Sequence, residues 1–124
     1  MLDVSLPEGS GADSFSMMPL LKGYNGPIRM NAVSCSGPGL PSFRAGDWKL
    51  IPGAGSGGWS RGGDEDPIQL YNLADDLGET NNLATTYPEK VKAMQDQFEE
   101  LIAHGRSTPG KPLINDVEVV RYPN

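Results

Sequence analysis

Phe43-Arg44-Ala45-Gly46-Asp47-Trp48-Lys49-Leu50-Ile51 is the stretch that decides the fold. Two short runs with apolar positions flank Ala45-Gly46-Asp47. Glycine adopts the positive φ that tight hairpin turns need. The stretch from Phe43 to Leu50 therefore predicts a β-hairpin, with Ser42-Phe43-Arg44 as one arm and Trp48 to Ile51 as the other. Upstream, Ile28 to Ser34 alternates, with Ile28, Met30, Ala32 and Ser34 on one face, and reads as a strand. Downstream, Ile68 to Leu73 is a further strand, with Leu70, Tyr71 and Leu73 as its apolar content.

The strongest helical pattern runs from about Tyr87 to His104. Val91, Met94, Phe98, Leu101 and Ile102 form one apolar stripe at helical spacing. Thr86 and Glu89 have the spacing of a capping box, Pro88 falls in the first turn, and Gly105 is a natural C-cap. That stripe has to bury against something, and the strands are the surface on offer. The prediction is an α+β layer: a small antiparallel sheet of about four strands with one long C-terminal helix packed on a face. Residues before the sheet read as a lead-in with a short helix through Phe15 to Leu21, capped by Asp13 or Ser14. Pro19 restricts that helix to a turn or two, and Gly23 ends it. The tail from Ser107 to Asn124 is broken by Pro and Gly, with Val117 to Arg121 as either an edge strand or a flexible end.

The chain has 124 residues, of which 37% are hydrophobic, 16 are Gly and 11 are Pro. That is enough for one domain and lean for a self-sufficient one. The net charge is −6 but uneven: residues 1–21 carry −3, residues 22–61 carry +4 and residues 62–124 carry −7. An acidic chain does not suit nucleic acid, whose phosphates require a clustered positive face. No stretch nears the roughly 20 apolar residues of a membrane span. Met1-Leu2-Asp3-Val4 opens acidic, unlike a secretory leader. The cationic middle segment is suited to an anionic ligand or, more plainly, decorates exposed strand faces.

Chemistry-bearing residues are few. One cysteine, Cys35, excludes an internal disulfide and a cysteine-based zinc cluster. One histidine, His104, leaves little for a catalytic triad; at the end of the helix it is expected to face the C-terminal carbonyls. Gly53, Gly55 and Gly58 satisfy G-x-G-x-x-G after a strand, but Trp59-Ser60-Arg61 shows no helical period, so the stretch reads as a loop. Asp64-Glu65-Asp66 and Asp75-Asp76 with Glu79 lack the spacing of a calcium loop. Asp75-Asp76-Leu77-Gly78 reads as a turn in which Asp side chains accept backbone amides. Trp48 reads as a packing residue of its strand.

Several segments taken in order resemble the late region of formylglycine-dependent sulfatases of the arylsulfatase type. Leu6-Pro7-Glu8-Gly9, Asp13-Ser14-Phe15 and Pro19-Leu20-Leu21-Lys22-Gly23 come first. The hairpin Phe43 to Ile51 is similar to the family's arginine, glycine and tryptophan-lysine-leucine hairpin, and Gly53 to Ser60 to its glycine-rich loop. Gln69-Leu70-Tyr71-Asn72-Leu73, Asp75-Asp76, Gly78-Glu79 and Asn82-Leu83-Ala84 are similar to the segment closing its second sheet. The resemblance implies a C-terminal subdomain over residues 28–106, preceded by the lead-in 1–27 and followed by the tail 107–124.

In that family the subdomain docks on a large catalytic domain and forms part of the wall of the sulfate-ester pocket. Calcium and a formylglycine, made from a Cys or Ser in a C/S-x-P/A-x-R motif, belong to the catalytic domain. Cys35-Ser36-Gly37-Pro38-Gly39 lacks that motif's Pro or Ala and its Arg. The chain alone is therefore expected to be inactive, with no catalytic residue and no metal ligand of its own. Ser34 and Cys35 fall where the family often has histidines facing substrate. With Arg44 and Lys49 they form the substrate-binding candidates that the resemblance implies. Members of the family are often exported. The alternative is a free-standing binding module for an anionic carbohydrate or a partner protein. A surface made to dock and left uncovered would also favour self-association.

Overall fold

The computed structural model describes residues 7, 9–55 and 66–120. The first residues of the lead-in, Gly58 and Trp59 of the glycine-rich loop, Asp64-Glu65 and Arg121 lie outside the described residues. The order of elements is α1 (Met18–Leu21), β1 (Asn31–Cys35), β2 (Pro41–Ala45), β3 (Trp48–Ile51), β4 (Gln69–Asn72) and α2 (Pro88–His104).

The four strands form one antiparallel sheet in the order β1-β2-β3-β4. The hairpin between β2 and β3 is as expected, pairing Phe43 with Leu50, Arg44 with Lys49 and Ala45 with Trp48. Gly46 takes φ 59° at the first of the two turn positions, where a type II′ turn needs glycine. Side chains alternate across a strand, so the register sorts the sheet into two faces. Val33, Phe43, Leu50 and Leu70 lie side by side on one face. Ala32, Arg44, Lys49 and Tyr71 lie side by side on the other.

Helix α2 packs on the first face, across β2 and β3. Phe43, Leu50 and Leu70 are fully buried against Val91, Met94 and Phe98, and Leu101 and Ile102 are partly buried at the margin. The predicted stripe is thus the buried side of the helix. Phe43 and Phe98 stack with ring centroids 5.7 Å apart. A helix about 10 Å wide covers about two strands spaced near 4.8 Å, so β1 is left flanking the helix and Val33 stays 36% exposed.

Five expectations need correction. Helix α1 starts at Met18 with Met17 as its N-cap and no side-chain capping bond, so neither Asp13 nor Ser14 caps it. The N-cap of α2 is Tyr87 rather than Thr86, with no side-chain capping bond, and the Thr86 and Tyr87 amides donate to the Leu83 carbonyl in a preceding turn. Strand β1 begins at Asn31 rather than Ile28. Residues 28–30 are irregular, and Arg29 Nε donates to the Asn31 carbonyl at 2.8 Å. His104 does not meet the helix carbonyls. Its Nε2 lies 3.3 Å from the Gly110 carbonyl oxygen, and Asn115 Nδ2 donates to the Ile102 carbonyl instead. Residues 117–120 form no strand. The tail folds back, and Thr108 Oγ1 donates to the Ala12 carbonyl at 2.6 Å while the Ser107 amide donates to Asp13 Oδ1 at 2.8 Å. Lead-in and tail are thereby clipped together.

Candidate functional site

The four candidate residues do not converge. Adjacent residues of a strand face opposite ways, and Ser34 and Cys35 are adjacent. Ser34, Arg44 and Lys49 share the face away from α2. Cys35 is on the helix side, in a cleft of about 420 Å³ with Val33, Phe98, Leu101 and Ile102. The Cys35 thiol is free and exposed.

On the outer face Arg44 is exposed, and its Nε donates to the Gly46 carbonyl at 3.0 Å. That contact folds the guanidinium over the hairpin turn. Lys49 is half-buried and fully engaged: its Nζ donates to both carboxylate oxygens of Glu79, at 2.6 and 2.8 Å. Glu79 has φ 54°, an unusual value for a residue with a side chain. The turn before it holds it there. Asp76 Oδ2 accepts the amides of Thr80 and Asn81 at 2.8 and 2.9 Å, and Asp76 Oδ1 accepts the Thr80 hydroxyl at 3.1 Å. The Asn81 amide, with smaller help from Thr80 and Gly78, holds the Asp76 carboxyl below its usual 3.8, against a lesser upward push from desolvation. The Asp75-Asp76 segment is therefore the expected turn.

The rest of that face is closed by the chain itself. Gln69 Nε2 donates to the Gly53 and Gly55 carbonyls at 2.7 and 3.0 Å, and Tyr71 donates its hydroxyl to Gln69 Oε1 at 2.8 Å. Ile51, Gln69 and Tyr71 are buried. Trp48 packs edge-on against Tyr87 at 5.5 Å, with Lys90 Nζ 5.3 Å from its ring centre. It serves as a packing residue.

Sequence reasoning passed over Arg29. It lines the cleft shared with Cys35, a second cleft of about 530 Å³ with Phe15, Glu100 and His104, and a third of about 360 Å³ with Arg44. Its guanidinium carbon lies 5.1 Å from the Phe15 ring centre, a cation–π contact. Arg29 and Arg44 line one cleft together, with Asp47 on the same lining, and are the cationic residues placed nearest each other for an anionic oxygen group. The signal available in the sequence was the position of Arg29 in the cationic segment, directly before the first strand.

Among the described residues no group of three His, Cys, Asp or Glu side chains is placed to hold a metal ion. No helix among them is long and apolar enough to cross a membrane.

No family model and no curated protein matches the chain. Among solved structures, it is similar to a Bacteroides thetaiotaomicron sulfatase associated with the metabolism of multiple glycosaminoglycans. The TM-score is 0.64 at 28% identity, covering 78% of this chain and 21% of that one. The chain therefore spans about a fifth of the length of the sulfatase it matches, and its α+β fold is sulfatase-related.

Proposed function

We propose that this chain is a C-terminal-type subdomain of a sulfatase, a wall of the substrate pocket that docks on a catalytic domain. The observation that carries the reading is the likeness to a sulfatase over 78% of this chain, in agreement with the ordered motifs of the sequence. Sulfate-ester hydrolysis requires an activated nucleophile, cationic groups for the sulfate oxygens and a proton donor for the leaving oxygen. Arg29 and Arg44 supply the second requirement. Cys35 shares a cleft with Arg29, Val33 and Phe98 and does not line the one that holds Arg29 and Arg44 together. In this reading calcium and formylglycine belong to the catalytic domain, and the substrate is a sulfate ester.

The test has two parts. Pure chain is expected to release nothing from an aryl sulfate. Turnover that disappears in Cys35→Ala would overturn the claim of incompleteness. The coding DNA upstream is expected to contain an in-frame C/S-x-P/A-x-R motif, and a natural frame without one would count against a parent sulfatase.

The second reading, a free-standing module for an anionic carbohydrate, draws on the cleft shared by Arg29 and Arg44. Calorimetry with a sulfated oligosaccharide distinguishes it. Heat that Arg29→Gln and Arg44→Gln each diminish supports the module, and silence at millimolar ligand removes it.

A further inference from the structure

Helix α1 differs from α2 in what it buries. None of its residues is buried, although Met18-Pro19-Leu20-Leu21 is wholly apolar. A single helical turn is not stable by itself in water. Here local bonds hold it: the Lys22 amide donates to the Met18 carbonyl and the Tyr24 amide to the Pro19 carbonyl. The apolar exposure runs on beyond the helix. Leu21 is 76% exposed and Met30 77%, and Met17, Leu20 and Tyr24 are exposed as well. Of the eleven large apolar residues exposed among the described residues, these five fall within residues 17–30. Single exposed apolar side chains are ordinary, but such a concentration on one short stretch marks a surface that another body covers. Lys22 and Arg29 are the only charges in the stretch, so its border is cationic in a chain of net charge −6.

We propose that residues 17–30 are the docking surface for the catalytic domain of a sulfatase. The inference rests on the sulfatase reading above and adds the place of contact. The Bacteroides sulfatase extends over about four-fifths of its length beyond the part that this chain resembles, so that protein holds a body large enough to cover the stretch. The residue types suit a contact surface. Methionine and tyrosine are enriched at interfaces, and the unbranched methionine side chain adapts to an irregular neighbour. The facing surface is expected to be apolar, with acidic groups at its border opposite Lys22 and Arg29. The place of the stretch also matters for the site. Pro27 and Met30 line the cleft that holds Arg29 and Arg44, so a domain seated on residues 17–30 borders that cleft.

The test compares this chain with the longer product of its reading frame, the one that carries the upstream C/S-x-P/A-x-R motif. Both are treated briefly with hydrogen peroxide and digested, and oxidation at Met17 and Met30 is read by tandem mass spectrometry. Several-fold slower oxidation at both methionines in the longer protein is the expected result. A longer protein that hydrolyses an aryl sulfate, yet whose Met17 and Met30 oxidise as fast as in the chain alone, overturns the docking surface and leaves the sulfatase reading standing. A frame without the motif removes both. Leu21→Glu gives a second measurement. Helix α1 buries nothing, so the melt of the chain alone is expected to stay where it is, while the longer protein melts several degrees lower. Equal shifts in the two proteins overturn the proposal. So does self-association of the chain, or its binding to phosphatidylserine vesicles, where Leu21→Glu abolishes it, since the stretch then belongs to a second copy or to a lipid surface.

Discussion

Lys49 and Glu79, thirty residues apart in the chain, are joined through both carboxylate oxygens at 2.6 and 2.8 Å. The pair ties β3 to the turn beyond β4, and its side chains are 24% and 31% exposed. It stands between a surface pair and a buried one, and we expect it to contribute about 1 kcal/mol, less in high salt.

The Asp76 turn, not the ion pair, holds Glu79 at φ 54°, so two substitutions separate charge from strain. Glu79→Gln keeps the strain and loses the ion pair, and is expected to destabilise by about 1 kcal/mol. Glu79→Gly loses the pair but relieves a strain of about 1 kcal/mol, and is expected to fall close to the native chain. Urea melts of the two variants check the order. Equal losses would show that the unusual φ carries no cost.

Phe43 is the keystone of the core, fully buried between Leu50 and Phe98. Phe43→Ala is expected to cost about 3–5 kcal/mol, which approaches the whole stability of a small domain. The expected result is loss of near-ultraviolet circular dichroism and of a cooperative melt at 25 °C. A sharp transition near that of the native chain would mean that the helix packs by some other contact.

Asp76 gives the fold an acid limb. Its carboxyl is held below the ordinary value in the folded chain, so the folded state binds this proton less readily than the unfolded one. The stabilisation is fully present above the unfolded value of about 4 and is lost as the pH falls below it. Asp76→Asn is expected to flatten the fall in stability between about pH 5 and pH 2, leaving the dependence above about pH 6 unchanged. Denaturant melts at a series of pH values check it, and an unchanged acid slope would remove Asp76 as its source.

Two glycines with positive φ should respond differently to alanine. At Gly46 an added Cβ meets nothing within 4 Å, so the penalty is conformational alone, about 1 kcal/mol, and Gly46→Asn should recover part of it. At Gly105, the C-cap of α2, an added Cβ runs into the Leu113 carbonyl oxygen, which belongs to the returning tail. Gly105→Ala is therefore expected to cost clearly more. Thermal melts of the pair decide it, and equal shifts would show that the tail yields freely.

The parts of the fold legible in the sequence were those governed by local rules. The Ala45-Gly46-Asp47 turn set the hairpin, and the spacing of Val91, Met94 and Phe98 set the buried side of α2. Long-range contacts set the rest. Thr86 is not the N-cap because the turn closed by the Leu83 carbonyl runs through Tyr87 and the helix starts one residue later. The tail could not be read because its partners, Ala12 and Asp13, lie at the other end of the chain. At the candidate site, the two-residue period of a strand already separates Ser34 from Cys35, whatever the residues resemble. Arg29 was hidden for a different reason: only folding shows that one side chain borders three clefts.

The bond from Thr108 to the Ala12 carbonyl spans 96 residues, and every strand and both helices lie within the loop it closes. Tension applied at the two ends of the polypeptide would therefore fall first on this clasp. The sheet would be loaded only after the clasp gives way, so that rupture in a pulling experiment would begin outside the hydrophobic centre.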